Sequence, residues 1–563
     1  MSKRSRGPTR RSVLAASLAT TFAAVAPLGA CSRRDAATYD GGWLGISADR
    51  GHLMRDATAG SKSGALPEVS TTRHVGALVV GAGVAGLGAV RAMHGAGLDD
   101  CHVLELEDRG GGNSRGHSMA GMRCPLGAHY LPVPGAAAVE VVELLEELGV
   151  RKTVHGKAVY DERMLCHSPQ ERLFIAGGWR EGLLPPIESL PAEQRAATLA
   201  EYRAFGAAVA AAAAGEGEGN AFAIPTARAR WSDALAALDR VTFAAWLDAH
   251  RLVAPALRWY LDYCCRDDYG AGAAHVSAWA GLHYFASRHG FRAPGDEPRG
   301  GDSGDGILTW PEGNAWLAER LAAPLGNRLH GGRVAIAVRE RRDAVEVDAW
   351  NVATRQRERW IASHVVLATP LFVSARVLDS PPAALVAAAQ LVPHAPWVVA
   401  NLQLDAALDD RAGAPPSWDN VVYGGAGLGY VDAMHQSTRP FAGPTVLTSY
   451  AALGGDSAAA LVANRKSLLG DDWRPWAERF VADLALVHPD LPAKVRRVDL
   501  MRYGHAMSVP APGVRSSAAL VALAEPQRRV HFAHADLSAY SVFEEALFHG
   551  TRAGRAIGAM TRF

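Results

Sequence analysis

The sequence predicts an α/β protein: a Rossmann-like dinucleotide-binding domain whose segments are interrupted by a discontinuous α+β substrate domain. Three observations carry this. The stretch "GALVVGAGVAGLGAVRAM" (76–93) sets an apolar run, a glycine loop and a helical segment in succession, the strand–turn–helix order of a dinucleotide fold. A second apolar strand, "HVLEL", ends on Glu105, 24 positions after Gly81. Long stretches that mix helix and strand patterns separate these residues from two further apolar strand-and-turn segments.

Each part of the loop has a physical task. Val79 and Val80 supply the buried β-branched run. Gly81 permits the turn, Gly83 lets the backbone approach a pyrophosphate, and Gly86 lets the helix pack on the strand. Val84 and Ala85 open that helix, whose free N–H groups carry partial positive charge toward phosphates. Glu105, followed by Leu106, is the candidate ribose acceptor, and Glu107 is its rival.

The dinucleotide domain is read as 73–150, 306–385 and 505–563. The insert 151–305 is mainly helical, with an alanine run at 207–214 that favours helix. The insert 386–504 mixes strand-like runs with a helix near "WAERFVADLALVHP". Residues 32–72, polar and rich in Gly, Ser and Thr, read as a tether.

The 563 residues, 49% hydrophobic, suffice for two or more lobes. A net charge of +1 with no basic face argues against a nucleic-acid partner. Residues 1–31 hold five basic groups and no acid. Their Arg10–Arg11 pair, apolar stretch and "LGAC" ending resemble a twin-arginine export signal with a lipoprotein lipobox. That resemblance implies a periplasmic protein, or one attached outside the inner membrane through a lipidated Cys31. A single transmembrane anchor is the alternative, although the Ala- and Thr-rich stretch barely reaches spanning length. Six cysteines show no CxxC spacing, and the "CRDD" cluster fits no standard metal site, so no metal is expected. Cys101 and Cys124 are open to pairing or to being buried thiols.

"ELEDRGGGNSRG" resembles the second glycine motif of the flavin amine oxidase and phytoene desaturase superfamily. The resemblance implies non-covalent FAD, with Glu105, Arg109, Gly111 and Gly112 at the motif positions. Asn113 stands where the family usually has arginine, with Ser114 and Arg115 following. "PLGAHYLPVP" places Gly127, Ala128 and His129 beside the flavin ring by the same resemblance. Val334 matches the valine whose backbone touches the adenine, and Ala368 lies in the strand-end segment "IASHVVLATP". In the closing motif, Asp536 matches the ribityl or pyrophosphate ligand, and Glu544, Glu545 and Ala546 the helix start beside the pyrimidine.

The family implies oxidation of a small-molecule substrate by hydride transfer to the flavin, most directly of an amine. Its usual active-site lysine has no counterpart in "HAPWVVANLQLD". That absence keeps open a phytoene desaturase-type dehydrogenase with a non-oxygen acceptor, and a catalytically inactive flavoprotein subunit. The electron acceptor itself is not encoded in any motif. Candidate active-site residues are Asp267 and Asp268 as partners of a cationic amine, His283 and Tyr284 from the same aromatic segment, and His129 and His505. Asp267 and Asp268 are also read as a polar helix end, and His283 as a core histidine. His394, Trp397 and Met507 are further pocket candidates.

Overall fold

The computed structural model describes residues 39–563 apart from 64–66, 167–169, 215–219, 289, 297–305, 526–527 and 561–563. The export signal and Cys31 lie outside the described residues.

Two large sheets organise the chain. The first has the order Leu329–His330, Cys101–Leu104, Val69–Val80, Gln356–Leu367, Val345–Asn351, Arg333–Glu340, with Val530–Phe532 also alongside Gln356–Leu367. Its centre is parallel: Val79 pairs with Val103 on one side and Val366 on the other. Strands covered on both faces need continuous apolar sequence, and Ala77, Leu78 and Val79 are fully buried.

Against this sheet pack two helices, Val84–Gly95 and Phe543–Met560. Their contact is made by small residues. A Cβ on Gly550 would stand 1.9 Å from the Ala85 carbonyl oxygen, and one on Gly554 would stand 2.2 Å from that of Ala89. The C-terminal helix is thereby fixed directly over the glycine loop.

The second sheet runs Asp40–Leu44, Val495–Ser508, His394–Leu404, Thr445–Ala452, Tyr430–Asp432, Asp419–Val422, Glu171–Ile175, Gly178–Glu181. The helices Ala192–Ala214, Phe243–Ala249, Pro255–Tyr269 and Ala278–Ala286 share an aromatic core with it.

The reading of 32–72 as a tether is corrected for its described part. Asp40–Leu44 is a strand parallel to Val495–Ser508, and Ala48–Ser63 is a helix. Both are mostly half-buried rather than core, so their composition stays polar. Among the described residues no helix is long and apolar enough to cross a membrane. Cys101, Cys124, Cys264 and Cys265 are buried free thiols.

Candidate active site

The glycine loop opens onto a cavity of about 700 Å³ between the sheets. Gly81, Gly83, Val84 and Ala85 line it, with Gly81 at φ +102°. Gly86 does not: it faces its own turn, where a Cβ would lie 1.9 Å from the Gly81 carbonyl oxygen. Glu105 follows the strand Cys101–Leu104 and lines the cavity beside Leu106. Its carboxylate accepts from the Ala82 N–H at 2.7 Å and the Glu107 N–H at 2.9 Å. Burial pushes its pKa up, while these two bonds oppose the shift.

The second glycine motif meets the first. Gly111 and Gly112 have φ +122° and +57°, and a Cβ on Gly112 would stand 3.1 Å from the Gly83 Cα. Asn113, Ser114 and Arg115 also line the cavity, whereas Arg109 is exposed and outside it. The turn that brings the glycines together carries Arg115 inward; its Nε donates to the Gly112 carbonyl at 3.1 Å.

Farther positions differ more. Arg333 and Ala335 line the cavity, but Val334 between them is fully buried on the opposite side of its strand, as strand alternation requires. Ala368 and Ala546 line it. Asp536 does not. Its carboxylate lies 3.0 Å from His394 Nε2 and accepts from the Leu371 N–H at 2.9 Å. Its pKa is held well below the usual range by His394 and His534, against the desolvation that would raise it. Glu545 is likewise a buried clamp, accepting from the Thr226 N–H at 2.5 Å and the Ser538 hydroxyl at 2.6 Å.

The residues present fit FAD. Two glycine turns packed together, with positive φ at Gly81, Gly111 and Gly112, form a cradle for a pyrophosphate. Arg115, Arg333, Arg376 and Arg502 line the same cavity, whose acidic residues among the described ones are Glu105 and Glu107, a charge balance suited to a diphosphate.

A second, smaller cavity of about 140 Å³ shares Asn113, Ala128, Tyr503, Ala506 and residues 541–543 with the first. Gly127, His129, Tyr130, Trp397, Tyr450 and Met507 are among its walls. The rings of His129 and Tyr450 stack with centroids 4.4 Å apart. Burial lowers the His129 pKa to about 3, so this imidazole is neutral. Gly127 is required where it stands, since a Cβ would meet the Asn113 carbonyl oxygen at 2.2 Å. The Tyr503 hydroxyl donates to the Leu126 carbonyl at 2.8 Å and secures that turn.

Asp267, Asp268, Arg288 and Glu544 bring charge to this chamber. Arg288 Nη2 lies 3.1 Å from each carboxylate oxygen of Asp268, and the Tyr540 hydroxyl donates to the same carboxylate at 2.5 Å. Asp267 has only a long contact from the Tyr130 hydroxyl, 3.4 Å. Burial first and Asp268 second raise its pKa to about 7. Burial likewise raises Glu544 to about 7.

Four sequence candidates fall outside the chamber, one of them His394, which lines the larger cavity and pairs with Asp536. His283 is fully buried among Trp279, Phe222 and Tyr540, with Nε2 3.2 Å from the Ala223 carbonyl oxygen. Tyr284 stands under Arg288, 4.8 Å from guanidinium carbon to ring centre. His505 lines the larger cavity beside Phe372. No lysine lines the chamber among the described residues, and among them no group of three His, Cys, Asp or Glu could hold a metal ion. The sequence reading missed Tyr130, Arg288 and Tyr450. Arg288 had a visible signal, a cation closing an aromatic helical stretch.

The chain matches the profile of the family described as flavin containing amine oxidoreductase over residues 84–558. No curated protein matches it. Among solved structures, a putrescine oxidase with bound putrescine is similar at TM-score 0.60 and 18% identity, covering 87% of this chain and 100% of that one. A cyclohexylamine oxidase from Brevibacterium oxydans IH-35A gives 0.59 and 18%, with the same coverage. A fatty acid isomerase from P. acnes gives 0.54 and 15%, covering 87% and 98%. These three show the shared fold, and the profile, spanning most of the chain, shows the family: this protein belongs to the flavin containing amine oxidoreductases and is an FAD-dependent oxidoreductase.

Proposed function

We propose that the protein oxidises a small amine, with the nitrogen beside Asp267 and the carbon skeleton among the chamber's aromatic rings. The observation that carries this reading is the shared wall. An aromatic chamber holding an unneutralised carboxyl opens onto the cofactor cavity at Asn113, Ala128 and Tyr503. Aromatic faces favour a cation and exclude water from its apolar part.

The two glycine turns and Glu105 would hold FAD, which would supply the acceptor for a hydride equivalent from the carbon next to nitrogen. The protein's part is binding and proton control. Asp267, with its pKa near 7, pairs with an incoming ammonium when ionised and accepts a proton from it as the neutral amine forms. Arg288 neutralises Asp268 and keeps a second negative charge from competing. Neutral His129, stacked on Tyr450, contributes shape rather than charge. Asn113 donates to the Ala506 carbonyl at 2.6 Å and holds the shared wall in place.

The absence of a lysine from the described chamber walls supports a second reading, a dehydrogenase that passes its electrons to a carrier instead of oxygen. The N-terminal sequence supports export by the twin-arginine route, which carries proteins already folded around their cofactor, with Cys31 as a lipid attachment point.

The test is an anaerobic visible spectrum of the FAD-loaded protein during addition of monoamines and diamines. Bleaching by one of them, followed by oxygen uptake, is the expected result. Bleaching without oxygen uptake selects the carrier-linked dehydrogenase. A spectrum that no amine alters removes amine oxidation.

A further inference from the structure

One wall of the cofactor cavity lies upstream of the residues matched by the family profile, which start at 84. Ile46, Ser47, Ala48, Gly51, His52 and Arg55 line the cavity beside the segment that carries the second glycine motif. This wall is anchored on both sheets. Its strand, Asp40–Leu44, is parallel to Val495–Ser508, with Trp43 paired to Leu500. A guanidinium–ring contact of 4.9 Å between Arg502 and Trp43 adds to that joint. Gly45, at φ +89°, then turns the chain into the helix Ala48–Ser63.

The helix start is latched to the segment that follows the ribose acid. Arg50 Nη1 donates to the Leu106 carbonyl at 2.9 Å, and its Nη2 to Asp108 at 2.7 Å. Glu107 accepts the Ser47 N–H at 2.9 Å and lies 3.7 Å from the Arg50 guanidinium. Glu107, the rival ribose acceptor by sequence, is thereby committed to the latch. Met54 packs on the apolar cluster beneath the first sheet.

We propose that residues 46–55 are a cofactor clasp: a segment that closes over bound FAD, contributes Arg55 and His52 to the wall around it, and must unlatch at Arg50 before the cofactor can enter or leave. A strand seated on one sheet and a helix latched to the other span the cleft between the lobes. Opening breaks the Arg50 and Ser47 bonds and lifts Met54 from its apolar cluster, while the strand Asp40–Leu44 keeps its pairing with Val495–Ser508. A protein loaded with FAD before transport gains retention from such a device.

The test uses the full chain loaded with FAD. Release is followed as the rise of free-FAD fluorescence after dilution, for wild type, Arg50→Ala and Arg50→Lys. Arg50→Ala is expected to release FAD about tenfold faster, as loss of one partly buried charge-assisted pair implies. Arg50→Lys, which keeps the charge but not the fork, is expected between the two. Trypsin cleavage of wild type after Arg55 is expected to slow at least about tenfold when FAD is bound. Equal melting temperatures of the FAD-free proteins separate a lost latch from a lost fold. Should Arg50→Ala not fold, Asp108→Asn loosens the same latch at an exposed site, with about twofold faster release expected. Wild-type release rates in the folded latch variants, together with equal cleavage in the FAD-loaded and FAD-free protein, overturn the proposal.

Discussion

Arg288 holds Asp268 through two contacts of 3.1 Å at the wall of the smaller cavity, and Tyr540 completes the pairing. Adjacent aspartates that look equivalent in sequence therefore have different chemistry. Asp268 is a satisfied ion-pair member, and Asp267 keeps only the 3.4 Å contact from the Tyr130 hydroxyl. Both partners of the pair are largely buried, with side-chain exposures of 13% and 4%. Removing only one leaves an uncompensated charge. Arg288→Gln is expected to destabilise the protein by about 3–5 kcal/mol. The double variant Arg288→Gln/Asp268→Asn is expected to recover most of that loss. Thermal or denaturant unfolding of the four proteins in the cycle measures it, and additive losses would refute the pairing as the cause.

Asp267 controls the pH dependence of turnover on this reading. Its pKa of about 7 means that the pairing, ionised form grows as pH rises through neutrality. For an amine substrate kcat/KM is expected to rise across pH 6–8 with an apparent pKa near 7. Asp267→Asn is expected to lose this limb and to lower kcat/KM about 10²-fold, the lower end of what a positioned base contributes. An unchanged profile would move the titration to Glu544, whose carboxyl titrates in the same range.

The same residue links activity to stability, with opposite sign. Burial raises its folded pKa from 3.8 to about 7, so the native state holds that proton more tightly than the unfolded chain. The resulting stability is fully present below pH about 4 and is lost as pH rises through 7. Asp267→Asn removes the loss. The variant is expected to match wild type in its pH-dependent term near pH 4 and to exceed it by about 2–3 kcal/mol at pH 8. Three pKa units would give about 4 kcal/mol for a sealed group, and the half-buried carboxyl keeps some solvent. Urea titrations at the two pH values test the sign.

Features whose cause is local were legible in the sequence. Gly81, Gly83, Gly111, Gly112 and Glu105 face one cavity, because turns, caps and strand ends depend on neighbouring residues. Features whose cause is tertiary were not. Val334 and Arg333 differ only in which face of a strand they occupy, and that register is set by pairing with Trp350 and Asn351. The sequence leaves open which of Arg109 and Arg115 faces the cofactor cavity; the turn at Gly111 and Gly112 sets Arg115 on its wall and Arg109 outside it. Asp536 lies outside the cofactor cavity, because His394 from a distant strand and the Leu371 N–H occupy its carboxylate. Tyr450 reaches His129 from a strand more than 300 residues away, which no local pattern encodes. The segment 40–63 reads as a tether because it buries only one side, so its polar residues outnumber its apolar ones.

The glycine stripe of the C-terminal helix transmits packing to the site. Gly550 faces the Ala85 carbonyl oxygen, which a Cβ would approach to 1.9 Å. Ala85 belongs to the first turn after the glycine loop, and backbone cannot rotate aside as a side chain does. Gly550→Ala must therefore push the two helices apart, at an expected cost of about 1–3 kcal/mol. The first turn of the displaced helix supplies Glu544 to the chamber and Ala546 to the cofactor cavity. FAD retention is accordingly expected to fall with stability, not to stay at the wild-type level. Gly95→Ala is the matched control: it lies in the partner helix, and its Cβ would meet nothing within 4 Å. There the substitution is expected to be neutral or to stabilise by about 0.5–1 kcal/mol through the unfolded chain. Melting temperature and bound FAD per chain, measured for both variants, decide whether the helix contact shapes the site. Normal FAD content in Gly550→Ala would show that the cavity tolerates the shift.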